Sequence, residues 1–158
     1  MKNLLLLLLF IPFATFAQVH IGTGAGYSTD DKALAKLNVG YQLSQVNVDA
    51  ELRTTSGHNY YGAKIGFNIV SAAQEEISGF SIIPSVGYFY QKVNIIPSPV
   101  PGKIVTKKSE SSDQYNFAYS IKGMKQISND GALFLEGMYI NKIVQVTFGI
   151  QFRFGNFY

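Results

Sequence analysis

A few places in this sequence hold residue types that could do chemistry. Gly22-Thr23-Gly24-Ala25-Gly26 looks at first like a phosphate-cradling loop. Its spacing is G-x-G-x-G rather than G-x-G-x-x-G, and no helical pattern follows it to turn an N-terminus toward an anion. Ser56-Gly57-His58 sets a nucleophile beside a base. Hydrolysis also needs a residue that orients the base, and the sequence names none. The two histidines, His20 and His58, fall in separate segments, and Asp30-Asp31 lacks the further ligand spacing of a calcium loop. The chain has no cysteine, which excludes a disulfide, a thiolate zinc site, a thiol nucleophile and lipid attached to Cys. No catalytic, metal or cofactor site is therefore expected. The remaining candidates are charges set at alternate positions: Lys36, Asp49, Glu51, Arg53, Lys64, Lys122, Glu136 and Arg153.

The elements that carry these charges follow from composition and periodicity. Charged residues are 15% of the chain, against roughly 25% in an ordinary soluble domain. Aromatics are 14%, all Phe and Tyr, and the net charge is +3. That charge is too mild, and too scattered, for a nucleic-acid binder. Residues 1–17 read as a cleaved signal peptide: Lys2, the apolar run Leu4 to Ile11, then small residues at Thr15 and Ala17 before Gln18. Residues 18–158 form one domain.

Within that domain the dominant period is two. Val144, Val146, Phe148, Ile150, Phe152 and Phe154 alternate with Gln145, Thr147, Gly149, Gln151 and Arg153. Val46 to Arg53, Tyr60 to Ile69 and Tyr115 to Lys122 alternate in the same way, and Val19 to Tyr27 and Leu37 to Leu43 do so more weakly. Phe80 to Gln91 and Leu133 to Tyr139 are impure, with Ile83, Phe89, Phe134 and Met138 on the otherwise polar face. Pro84 cannot donate to a ladder, so it marks a bulge or the strand begins after it. This gives eight amphipathic strands, mostly of the length a tilted strand needs to cross a bilayer, roughly 9–11 residues. The 94–113 segment, with Pro97, Pro99 and Pro101, reads as a long loop, and Ser71 to Ile77 has the composition for one helical turn.

Period two alone does not say which face meets water. The apolar face carries aromatics toward the strand ends. The other face is rich in Gly, Asn, Gln and Ser, and light in Lys and Glu. A soluble surface carries more charge, whereas small polar residues suit the interior of a narrow barrel. The predicted fold is an all-β, eight-stranded antiparallel up-and-down transmembrane barrel, with both termini at the periplasmic end and the longer loops outside. Two other readings stay open: a narrow channel for ions or small solutes, and a soluble secreted barrel that holds an apolar ligand.

Signal peptide, eight amphipathic strands and an aromatic last strand together resemble small bacterial outer-membrane barrels of the OmpA transmembrane-domain and OmpX type. More narrowly they resemble the short outer-membrane barrels of Bacteroidetes. The resemblance covers residues 18–158. It implies that Phe148, Ile150, Phe152, Phe154 and Tyr158 carry the signal read by the barrel-assembly machinery, with Tyr at the end where Phe is commonest. It also implies contact with outer-membrane lipid and lipopolysaccharide, a monomeric state, and a structural or interaction role without catalysis. Lys103, Lys107 and Lys108 are candidates for contact with lipopolysaccharide phosphates. Inside the barrel the eight charges listed above are expected to form an ionic plug. Asp49, Glu51 and Arg53 would lie between Lys36 and Lys64, and Glu136 would pair with Arg153 on the next strand.

Overall fold

The computed structural model describes residues 18–30, 32–72, 79–95 and 110–154. Eight strands follow one another along the chain: β1 (Gln18–Ser28), β2 (Lys32–Leu43), β3 (Val46–Thr55), β4 (His58–Phe67), β5 (Phe80–Ile95), β6 (Glu110–Gln126), β7 (Gly131–Ile140) and β8 (Ile143–Phe154). One helical turn, α1 (Ile69–Ala72), follows β4. It starts two residues before the turn expected at Ser71; positions 73–78 lie outside the described residues. Each strand pairs antiparallel with the next, and β8 pairs with β1 to close the barrel. No helix among the described residues is long and apolar enough to cross a membrane.

The register fixes the shape. Opposed residues run Gln18, Gln42, Asn47, Gly66, Ser85, Ser120, Met138, Gln145 and back to Ser28 on β1. One circuit therefore climbs from Gln18 to Ser28, a stagger of 28 − 18 = 10 residues. With a rise of ~3.3 Å per residue and ~4.8 Å between strands, that stagger tilts the strands by about 40°.

Two-residue hairpins close several connections. Asn141 and Lys142 both take positive φ (47° and 66°), the backbone that matches strand twist in a tight hairpin. The end that holds Gln18 and Phe154 is called the terminal end here, and the opposite end the loop end. The lengths do not segregate as expected, because each end has one long connection: 68–79 at the terminal end and 96–109 at the loop end.

Strand boundaries depart from expectation at β4, which ends at Phe67 so that Ile69 opens α1 instead of continuing the alternation, and at two places along β5. The β5–β6 hairpin extends past the anticipated loop border at 94 and 113, through the pairs Lys92↔Asp113, Val93↔Ser112, Asn94↔Ser111 and Ile95↔Glu110. The run Glu110-Ser111-Ser112-Asp113 has no apolar alternation to announce a strand. Pro84 neither bulges nor delays β5. The β5–β6 register runs through Pro84↔Ile121 without interruption, and the last β4–β5 rung is Gly66↔Ser85. Pro84 thus lies just past that rung, with one side of the sheet open, where a residue without N–H is tolerated.

The side chains sort by parity. Phe117, Ile121 and Phe148 point outward with 72%, 63% and 58% of their surface exposed, while Arg53 and Glu136 point inward at 0%. A soluble barrel that holds an apolar ligand requires the reverse arrangement, so that reading is set aside.

Candidate functional site

The strongest concentration of chemistry is in the lumen. Lys36 on β2, Glu51 and Arg53 on β3, Lys64 on β4 and Glu136 on β7 converge there with almost no exposed surface. The Lys36 Nζ lies 3.1 Å from Glu51 Oε1 and also donates to Glu136 Oε2. The Lys64 Nζ lies 2.7 Å from Glu51 Oε1 and donates to Glu136 Oε1. The Arg53 Nη2 contacts Glu51 Oε2 at 2.9 Å and Glu136 Oε2 at 2.7 Å. Its Nη1 reaches Gln145 Oε1 at 3.3 Å and Thr147 Oγ1 at 3.5 Å. Three cations therefore share two carboxylates. The Phe134 ring lies 4.8 Å from the Lys36 Nζ and presents a π face to the surplus charge.

A second group is centred on Asp49. Its Oδ1 lies 2.6 Å from His20 Nε2 and accepts from Asn38 Nδ2 at 2.9 Å, and its Oδ2 lies 3.4 Å from the Lys122 Nζ. Lys122 also donates to Gln151 Oε1 at 3.3 Å. Burying so many charges is tolerable only because each is paired. Removing one partner of a buried pair costs about 3–5 kcal/mol.

The local sequence explains how these side chains reach one another. Inward positions between them are often glycine. A Cβ at Gly62 would stand 2.4 Å from a Phe89 ring atom, and one at Gly40 would stand 2.7 Å from His20 Nε2 and 2.8 Å from Asp49 Oδ1. Glycine keeps that volume free for the long side chains of neighbouring strands.

Apolar groups flank the ionic ones. Tyr60, Phe89, Ala118, Met138 and Ile140 pack together toward the loop end, and Ile83, Met124 and Phe134 toward the terminal end. Sequence reasoning overlooked these two clusters. Their signal was the impurity of alternation at Ile83, Phe89, Phe134 and Met138, each an apolar residue on the polar parity.

The structure groups the expected residues differently in two respects. Glu136 and Arg153 do not pair. Glu136 reaches across the lumen to β2, β3 and β4, because the barrel is narrow enough for facing walls to touch. Arg153 sits near the end of β8, half-buried, with its backbone N–H on the Asp130 carbonyl at 2.8 Å. Asp49 pairs with Lys122 across the lumen rather than only with its strand neighbours. On the outer face Phe148, Ile150, Phe152 and Phe154 form one column along β8, while Tyr158 lies outside the described residues. Lys103, Lys107, Lys108 and residues 1–17 lie outside them too.

The Ser56-His58 pair gains a neighbour that the sequence did not reveal: Asp30 Oδ2 lies 3.7 Å from His58 Nε2. The hydroxyl that receives the His58 backbone N–H is that of Thr55, at 3.0 Å. Among the described residues no group of three or more His, Asp or Glu is placed to hold a metal ion.

No family model and no curated protein sequence matches the chain. Solved structures do. The N-terminal β-barrel domain of Pseudomonas aeruginosa OprF superposes with a TM-score of 0.63 at 13% identity, over 87% of this chain and 97% of that one. The fold is that of the small transmembrane β-barrels. A de novo designed transmembrane β-barrel matches with a TM-score of 0.59 at 15% identity, over 87% of this chain and 95% of the design. Neisserial surface protein A matches at 0.53 and 8%, over 87% and 96% of the two chains. At such identities the likeness is one of architecture.

Proposed function

We propose that this chain is an outer-membrane β-barrel protein with a structural or interaction role, its lumen closed by its own side chains. The observation that carries the proposal is the inversion of the sheet. Large apolar side chains cover the outer face, and paired charges fill the interior. A lipid solvent and a closed barrel together satisfy both faces and every backbone group. The apolar clusters at the two ends of the lumen support a plug rather than a pore. The narrower kinship, to OmpA transmembrane-domain, OmpX and short Bacteroidetes barrels, rests on the same pattern.

On this reading residues 1–17 are removed on export, the β8 aromatic column with Tyr158 engages the assembly machinery, and the barrel acts as a monomer without catalysis. Lys103, Lys107 and Lys108 in the 96–109 connection then meet lipopolysaccharide phosphates, and replacing all three with Gln weakens that association.

Fractionation followed by gel mobility, heated against unheated, tests the proposal. Recovery in the outer membrane with a heat-dependent shift is expected. A soluble protein without a shift overturns it. Stable single-channel steps in a planar bilayer would replace the plug with the narrow-channel reading.

A further inference from the structure

We infer that the terminal end of the lumen holds a carboxylate site, built on Arg153, Gln151 and Asn47, that takes the C-terminal residue of a peptide. The site belongs to the closed barrel itself. The membrane reading above enters only in assigning that end to the periplasm.

Arg153 is the odd charge of the interior. Lys36, Arg53, Lys64 and Lys122 each meet a carboxylate. Arg153 is half-buried, and among the described residues no acidic side chain lies within ion-pair distance of it. Its Nε is buried and has no hydrogen-bond partner. Asp130 beside it offers only a backbone carbonyl, which accepts from the Arg153 backbone N–H at 2.8 Å, and is itself exposed. A guanidinium drawn partly out of water with an N–H unmet is costly, and an anion supplies what is missing.

Two buried amides share that end. Gln151 lies two residues before Arg153 on the inner face of β8 and is 1% exposed. Its Oε1 accepts from Lys122, and an ammonium only donates, so the amide cannot be turned round. Its Nε2 therefore points elsewhere, without a partner. Asn47 on β3 is also 1% exposed, and neither polar atom of its side chain has a partner. One contact sets these residues around a common space. His20 on β1 reaches past Gly40 to Asp49 on β3, at 2.6 Å. Arg153 is the cross-strand neighbour of His20, and Asn47 is the next inner residue to Asp49 toward the terminal end. Ile83, Met124 and Phe134, from β5, β6 and β7, pack together across from them. The site is a recess, not a passage.

The free groups specify the ligand. The Arg153 Nε–H and the Gln151 Nε2–H are donors, and they match the oxygens of an anion. Asn47 presents one donor side and one acceptor, the complement of a peptide group. A carboxylate joined to a peptide group is the last residue of a peptide. An inorganic anion leaves Asn47 Oδ1 unmet, and a free amino acid brings no carbonyl for Asn47 Nδ2.

The test uses the full chain in detergent micelles, with N-acetylglycine as the probe. The sequence has two arginines, Arg53 and Arg153, so their Nε–H resonances are told apart by R153K. N-acetylglycine is expected to move the Arg153 signal saturably. The Arg53 signal, whose N–H donates to Glu51 at 3.0 Å, should stay in place. Acetate should bind about tenfold more weakly, for want of the two hydrogen bonds to Asn47. The uncharged methylamide of N-acetylglycine should give no response. R153Q, followed at the backbone amides of Gln151 and Asn47, should lose binding, and N47L should bring N-acetylglycine down to the affinity of acetate. An unmoved Arg153 signal, equal binding of acetate and N-acetylglycine, or full binding by R153Q overturns the site. If N47L fails to close into a barrel, the three probes on the wild type decide the matter. A soluble wild-type chain with no heat-dependent gel shift overturns the membrane reading, and the titration still decides the site.

Discussion

Gly26 on β1 and Gly137 on β7 are strand glycines of one wall, but they face opposite ways. A methyl group at Gly26 would stand 1.9 Å from the Val146 carbonyl oxygen, whereas at Gly137 it would meet nothing within 4 Å. The same contrast separates the two faces as wholes. Inside, Lys36, Asp49, Glu51, Arg53, Lys64, Lys122 and Glu136 each meet named partners, so charge as well as volume is specified. Outside, the requirement is apolar surface, and many residues meet it. The sheet is therefore strict on its concave side and permissive on its convex side. A soluble barrel is also strict inside, but its interior is specified by hydrophobic volume rather than by matched charge.

Four single substitutions, the first with a rescuing partner, would break or sharpen this contrast, in descending order of effect. Glu136→Gln leaves Lys36, Arg53 and Lys64 with Glu51 alone, and is expected to cost about 3–5 kcal/mol in detergent unfolding. Adding Lys36→Met should recover part of that loss, which a purely steric effect would not allow. Leu37→Arg places a charge near the middle of outward-facing β2, and should cost about 2–4 kcal/mol in lipid vesicles. In detergent, where the head group reaches water more easily, the cost should shrink. Gly26→Ala should cost about 1–3 kcal/mol by overpacking the β1–β8 contact, read as a lower urea midpoint. Gly137→Val should raise that midpoint slightly, by about 0.5–1 kcal/mol, because a strand interior gains a side chain without a clash. A loss at Gly137 comparable to that at Gly26 would remove the distinction between the faces.

Much of this was legible in the sequence, for a local reason. Period two fixes the face of each residue once the strand is found, so Asp49, Glu51, Arg53, Lys64 and Glu136 could be placed together on the inner wall from their spacing. What stayed hidden depends on closure. Which charge meets which is set by the ten-residue stagger, a property of eight registers together, and no short window contains it. Hence Glu136 was assigned to a neighbour on the next strand, while its partners lie on β2, β3 and β4. The end clusters were hidden for another reason. Ile83 and Phe89 obey the inner parity but not the inner chemistry, and a pattern read by polarity treats them as noise. The Pro84 rung and the 110–113 rungs escaped because both sit where the ladder or the apolar alternation ends.

The position of Glu136 also bears on the order of folding. The chain separates Glu136 from Lys36 by 100 residues and from Lys64 by 72. Until β7 docks, the three ammonium and guanidinium groups on consecutive strands have only the β3 carboxylates Glu51 and Asp49 beside them, so a partial sheet of β2 to β4 still carries an excess of positive charge. Glu136 arrives on the next-to-last strand, just before β8 must find β1. The ionic cluster thus favours the complete circle over every open intermediate. It ties closure to a contact that is among the last the chain can make, with the high contact order that slows folding.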